Sequence, residues 1–138
     1  FVRGCAHNCP GCHNPATHDY DGGNEVSFDD IIVDLLQYKY IRGVTFSGGE
    51  PLDQPEALAL LTARLKDMGY HILIFTGYTY EQILRDKQKL AAVERADILI
   101  DGPYVESRRT LSLLFRGSSN QRMIDIQKSL QSGSVVEL

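Results

Sequence analysis

Four short apolar runs in this chain each end in glycine: "FVRG" at 1–4, "VTFSGG" at 44–49, "ILIFTG" at 72–77 and "ILIDG" at 98–102. Runs of that length, apolar throughout and closed by a turn residue, are the pattern of strands buried on both faces of a sheet. The intervals between them carry helical periodicity. In "SFDDIIVDLLQYKY", Ser27 and Asp30 make a capping-box-like start, and Phe28, Ile31, Ile32, Leu35 and Leu36 share one helical face. In the next interval Pro55 suits a first helical turn, Leu58, Leu61, Leu65 and Met68 recur at helical spacing, and Gly69 suits the stop. "YEQILRDKQKLAAVERA" reads as a third, less regular helical interval. Buried strands alternating with helices predict an α/β domain on a parallel sheet with right-handed crossovers. In such sheets, open or curled into a barrel, ligands sit beyond the carboxyl ends of the strands. The loops beginning at Cys5, Ser47, Thr76 and Asp101 are therefore the predicted rim of the site.

At 138 residues the chain is of single-domain size, so residues 1–138 are read as one domain. Its net charge is −4 and its basic residues are spread rather than massed, which excludes the electrostatic footprint of a nucleic-acid binder. No apolar run approaches the roughly 20 residues of a transmembrane helix, so no membrane role is expected. Because "FVRG" reads as the tail of a strand, the beginning of that first strand is expected to precede Phe1. The cysteines are odd in number and too close together for a disulfide framework, which points to a reduced, cytoplasmic setting.

All three, Cys5, Cys9 and Cys12, lie in "GCAHNCPGCHN". A cluster of thiolates selects zinc or iron–sulfur centres. The spacing Cys-x3-Cys-x2-Cys lets one short loop wrap a compact centre, with Pro10 and Gly11 allowing a tight path. An ordinary cubane takes four cysteines, so three would leave one iron open to a ligand that is not protein. Zinc is the alternative, with His7 or His13 completing a tetrahedral Cys3His site. A second motif, "TFSGGEPL" at 45–52, puts two glycines and a carboxylate at the end of an apolar strand. Backbone can approach a ligand closely there, and Glu50 can accept hydrogen bonds from an ammonium group.

With the cysteine loop followed by Gly-Gly-Glu-Pro, the sequence resembles the radical S-adenosylmethionine superfamily. In order and spacing, "FVRGCAHNCPGCHNPATHD", "TFSGGEPL", "IFTGYTYE", "DILIDGPYVE" and "FRGSSNQR" are similar to the activating proteins of anaerobic ribonucleoside-triphosphate reductase, from Phe1 to Arg122. The resemblance implies a small incomplete parallel β/α barrel of the radical S-adenosylmethionine type. It implies a 4Fe-4S cluster on Cys5, Cys9 and Cys12, with S-adenosyl-L-methionine chelating the fourth iron. Gly48, Gly49 and Glu50 would grip the methionine amino group, while Gly11, Cys12 and His13 would line the adenosyl side. One electron would then cleave the sulfonium bond, and the resulting 5'-deoxyadenosyl radical would take hydrogen from a glycine of the large reductase subunit. The implied partners are that subunit and an electron donor such as a flavodoxin, with one side of the site open for the reductase to cover.

Several residues stay outside this scheme or at its edge. Thr76, Gly77 and Tyr78 on the predicted rim are candidate cofactor contacts, with a plain turn after a buried strand as the alternative. Many members of the superfamily carry an aromatic residue just before the third cysteine. Here that position is Gly11, and a ring follows at His13, a feature of this branch. Asp101 is expected to accept structural hydrogen bonds from backbone or hydroxyl groups, since a buried carboxylate without partners is costly. The basic stretch "RGSSNQR", 116–122, is a candidate for closing the site or meeting the reductase. His7, His18 and His71 are read as structural or surface histidines. Two other functions stay in view: an activase for another glycyl-radical enzyme of the pyruvate formate-lyase type, and a non-enzymatic zinc or iron–sulfur binding module.

Overall fold

The computed structural model describes all residues, 1–138. Ser27 accepts a hydrogen bond from the Asp30 amide at 3.1 Å, and the chain turns helical from there, as α1, Phe28–Leu36. Strand β1, Gly43–Phe46, follows, then α2, Pro55–Asp67, and β2, His71–Phe75. Pro55 is the first residue of α2, where its missing N–H costs nothing, and Gly69 takes a φ of +90° after it. The third interval forms two helices, α3, Tyr80–Leu84, and α4, Lys87–Val93. Asp86 divides them, because its carboxylate accepts from the Gln88 and Lys89 amides at 3.0 and 3.1 Å and starts a new helix. Strands β3, Ile98–Asp101, and β4, Arg122–Asp125, precede the last helix α5, Ile126–Ser132.

The result is an α/β fold on one four-stranded sheet of order β1-β2-β3-β4. β1, β2 and β3 are parallel, with Val44 opposite Ile72 and Ile74 opposite Leu99. Ahead of β1, Val2 bridges Gly48 in parallel, so "FVRG" extends the sheet through a single bridge rather than a full strand. The expectation of a wholly parallel sheet is corrected by β4, which runs antiparallel to β3. Its register explains the direction: Ile124 lies opposite Leu99, both buried, and Arg122 lies opposite Asp101, to which its Nε donates at 3.0 Å. The C-terminal tail returns after α5 through Gly133 at φ +71° and hydrogen-bonds along β4, Val136 accepting from the Asp125 amide at 2.9 Å.

Leu52, Leu65, Ile72, Ile74, Leu99 and Ile124 are fully buried between sheet and helices. Side chains of this kind contribute roughly 1.5–3 kcal/mol each on burial. Leu36 and Met68, predicted on apolar helix faces, are 57% and 40% exposed, because each sits at the end of its helix beyond the reach of the sheet. No helix is long and apolar enough to cross a membrane.

Candidate functional site

The cysteine loop leaves the sheet at Gly4 and is closed by its own backbone. The Gly4 amide donates to the Thr17 carbonyl at 2.8 Å and the Cys5 amide to the His18 carbonyl at 3.0 Å. Each gap between cysteines contains one left-handed residue, Asn8 at φ +49° and Gly11 at φ +73°. Asn and Gly are the residues that tolerate that conformation, and two such reversals curl the loop around its own centre. All three thiols are free and half-buried, and all three line one cleft of about 280 Å³.

That cleft lies at the carboxyl ends of the parallel strands. Ser47, Gly48, Gly49 and Glu50 enter it from β1, Phe75, Thr76 and Gly77 from β2, and Gly102 from β3. β4 starts at the same rim, because it runs the other way. The segment 102–121 therefore leaves the rim and returns to it without crossing the sheet. Tyr104, Phe115, Gly117 and Gln121 from this segment form the remaining wall. None of those four was a named candidate; the last two fall within the stretch expected to close the site. Phe115 adopts φ +59°, uncommon for a bulky side chain, at the edge of the cleft.

The two glycines after β1 are required by chain packing. A Cβ on Gly48 would stand 2.5 Å from the Val2 carbonyl oxygen, and one on Gly49 would meet the Gly4 carbonyl oxygen. Close approach here is between β1 and the base of the cysteine loop. The Gly48 and Gly49 carbonyls accept no hydrogen bond from the protein, although both residues line the cleft.

Glu50 is 1% exposed and fully engaged. One carboxylate oxygen, Oε1, accepts from the Leu52 amide at 2.9 Å and the Thr76 hydroxyl at 2.8 Å. The other, Oε2, accepts from the Gly77 amide at 2.8 Å and pairs with His7 Nε2 at 2.7 Å. The carboxylate thus ties the ends of β1 and β2 to the cysteine loop, and an incoming ammonium must compete with four protein donors. Hydrogen bonding to Glu50, and then its charge, hold the His7 pKa above the ordinary value against the opposing effect of burial. The His7 ring fits because Gly77 has no side chain; a Cβ there would stand 2.6 Å from it. His7, read from the sequence as structural or as a possible zinc ligand, is therefore part of the site through its bond to Glu50.

Cys12 accepts from the Asn14 amide at 3.4 Å, and its sulfur stands 3.2 Å from His18 Nε2, the histidine tautomer setting which of the two donates. His18 went unrecognised in the sequence. His71 lies at the opposite end of β2, away from the rim. His13 lines the cleft with its ring 4.9 Å from that of Tyr104, whereas Gly11 faces Glu106 outside the cleft lining. Of the two histidines considered for a Cys3His zinc site, His7 is paired with Glu50 and His13 packs against Tyr104. In a cubane each sulfur takes its own iron, so three thiols spread around one cleft fit that donor set. Burial pushes the Cys5 thiol above its ordinary value, so loading it with metal must release a proton.

Beside the site Asp53 accepts hydrogen bonds from the Tyr20 and Tyr78 hydroxyls, the latter at 2.9 Å. The bond to Asp53 pushes Tyr20 up to about 12, and burial with the same carboxylate raises Tyr78. The contribution of these bonds to stability is complete below pH 10 and is lost as pH rises through the raised values. In an absorbance titration at alkaline pH, Tyr20 and Tyr78 are expected to ionise after the freely exposed tyrosines, and Asp53→Ala is expected to abolish the delay for Tyr20. Asp101 has the structural role expected of it, although its partners are the Tyr80 amide at 2.7 Å and the Arg122 guanidinium rather than hydroxyls. Arg122 also binds Glu81 and lowers that carboxyl to about 2, so Arg122 braces the sheet and does not reach the cleft.

Comparison with known proteins bears on this site directly. Residues 1–124 match a family described as a 4Fe-4S single cluster domain. The anaerobic ribonucleoside-triphosphate reductase-activating protein of Escherichia coli strain K12 is 36% identical over 129 residues, covering 88% of this chain and 82% of its own. The protein of the same name from Haemophilus influenzae is 38% identical over 131 residues, with the same coverage. That from Enterobacteria phage T4 is 33% identical over 129 residues, covering 89% and 80%. A cysteine loop facing a Gly-Gly-Glu segment across a cleft at the strand ends, with relatives similar over most of both chains, places this chain in the family of anaerobic ribonucleoside-triphosphate reductase-activating proteins.

Proposed function

We propose that this chain activates an anaerobic ribonucleoside-triphosphate reductase by generating a glycyl radical on its large subunit. The observation that carries the reading is the single cleft in which Cys5, Cys9 and Cys12 face Gly48, Gly49 and Glu50 across the carboxyl ends of parallel strands. Cys5, Cys9 and Cys12 would hold a 4Fe-4S cluster, which leaves one iron for S-adenosyl-L-methionine. When bound and reduced, the cluster would supply the one electron needed for reductive cleavage of S-adenosyl-L-methionine.

The chain itself binds, orients and shields. The Gly48 and Gly49 carbonyls, free of protein donors, are the acceptors available for the methionine amino group. Glu50 fixes them in place through its bonds to Leu52, Thr76, Gly77 and His7. Cys12 and His13 with Tyr104 form the wall offered to the adenosyl group. Thr76 and Gly77 act through Glu50, and Gly11 acts by turning the loop. Positioning of this kind matters because the reacting groups must meet at near-contact distance, away from water. The parallel run of β1, β2 and β3, with Val2 bridged ahead of them, supports reading the fold as a partial β/α barrel of the radical S-adenosylmethionine type, the segment 102–121 standing in place of further strands. A flavodoxin fits as electron donor, and a cytoplasmic setting fits the free thiols.

The test is anaerobic reconstitution with iron and sulfide, followed by electron paramagnetic resonance of the dithionite-reduced protein. A cubane signal that changes on adding S-adenosylmethionine is expected, and a glycine-centred radical should appear when the reductase is supplied. One tightly bound zinc in place of a cubane overturns the reading.

A further inference from the structure

His18 reaches the sulfur of Cys12 with Nε2 at 3.2 Å. Its position is fixed by backbone and is not that of a free surface side chain. The His18 carbonyl accepts from the Cys5 amide at 3.0 Å, and its own amide donates to the Pro15 carbonyl at the end of the turn Pro15–Thr17. The residue is thus built into the loop whose sulfur it touches. Cys12 also receives the Asn14 amide, so a backbone N–H and an imidazole nitrogen gather on this one sulfur.

Resting on the cluster reading above, we propose that His18 is a positioning residue that sets the reduction potential of the centre by donating its Nε2 hydrogen to the Cys12 sulfur. A thiolate that ligates iron has no proton to give, so the imidazole is the donor. Donation to the sulfur draws negative charge away from the iron and favours the reduced state of the one-electron couple. Hydrogen bonds to cluster sulfurs are among the factors that set such potentials. Removing this donor moves the midpoint to more negative values and leaves the ligand set intact.

The test is an anaerobic redox titration of the reconstituted full chain, followed by electron paramagnetic resonance, in wild type, His18→Phe and His18→Gln. Phenylalanine keeps a ring and removes the donor; glutamine restores an N–H. The midpoint is expected to fall in His18→Phe and to return toward wild type in His18→Gln, at equal iron and sulfide content. A second measurement uses protein labelled with ¹⁵N-histidine. Electron–nuclear double resonance of the reduced cluster should show a histidine nitrogen coupling in wild type that is lost in His18→Gln, which decides the matter even where His18→Phe fails to load. An unmoved midpoint in loaded His18→Phe, or a nitrogen coupling that persists in His18→Gln, overturns the role of His18 and leaves the cluster reading standing. Failure of the wild type to assemble a cubane overturns both.

Discussion

Glu50→Gln is expected to destabilise the fold by about 3 kcal/mol in urea denaturation of the metal-free chain, the range for breaking a buried charged network. The amide must turn its NH2 toward one pair of donors or the other. At the Oε1 position it meets the Leu52 amide and the Thr76 hydroxyl; at Oε2 it meets the Gly77 amide and His7. The hydroxyl can rotate, and a neutral imidazole can accept, but neither backbone N–H can change its role. One buried donor is left facing another whichever way the amide lies. The pH dependence checks the same network. His7 is raised by Glu50, so its contribution is complete below the ordinary histidine value, about 6.5, and is lost as pH rises through the raised folded value. In Glu50→Gln that slope near neutrality should flatten. A variant as stable as wild type, with the slope unchanged, would show that the carboxylate does not hold the rim together.

Replacing Cys5, Cys9 or Cys12 by alanine, one at a time, is expected to remove the stable cubane and reduce S-adenosylmethionine cleavage to background. The metal-free fold should survive, with its urea midpoint almost unmoved. The loop is closed by backbone bonds from Gly4 to Thr17 and from Cys5 to His18, and none of these needs a thiol. The buried core lies around Leu65, Ile72 and Leu99, between sheet and helices. Iron and sulfide analysis with circular dichroism separates the two effects. A variant that kept a full, stable cubane would show that a residue other than the three cysteines serves as ligand.

Much of this architecture was legible in the sequence because local chemistry decides it. Ser27, Pro55 and Gly69 mark helix ends by rules that need no tertiary context, and the apolar runs at 44–49, 72–77 and 98–102 each hold a strand, although burial on both faces is approached only in β3, since β1 lies near the sheet edge and β2 buries alternate residues. β4 was not legible. "RMID" is four residues long and polar at both ends, and its place is set by Arg122 meeting Asp101, a pairing distant in sequence. The division of the third helical interval was available in principle, since Asp86 is a good N-cap, but the apolar spacing runs through it. At the site, the cysteine spacing and Gly-Gly-Glu pointed to the chemistry, whereas the sequence offered His7 only as a possible zinc ligand and did not mark His18. A histidine becomes informative only when the partner of its ring is known, and both partners depend on how the loop folds back.

The antiparallel direction of β4 has a consequence for how this protein can vary. Since the segment 102–121 begins and ends at the same rim, anchored by the pairing of Asp101 with Arg122, it behaves as a cassette clipped into the sheet at one place. Lengthening such a loop twofold adds only about 0.6 kcal/mol of closure entropy, and no strand has to move to accommodate it. A related chain could therefore exchange one wall of its cleft while the cysteine loop and the Glu50 network on the other side stay as they are. The 102–121 wall and the cysteine loop with its Glu50 network are parts of the molecule that can diverge at different rates.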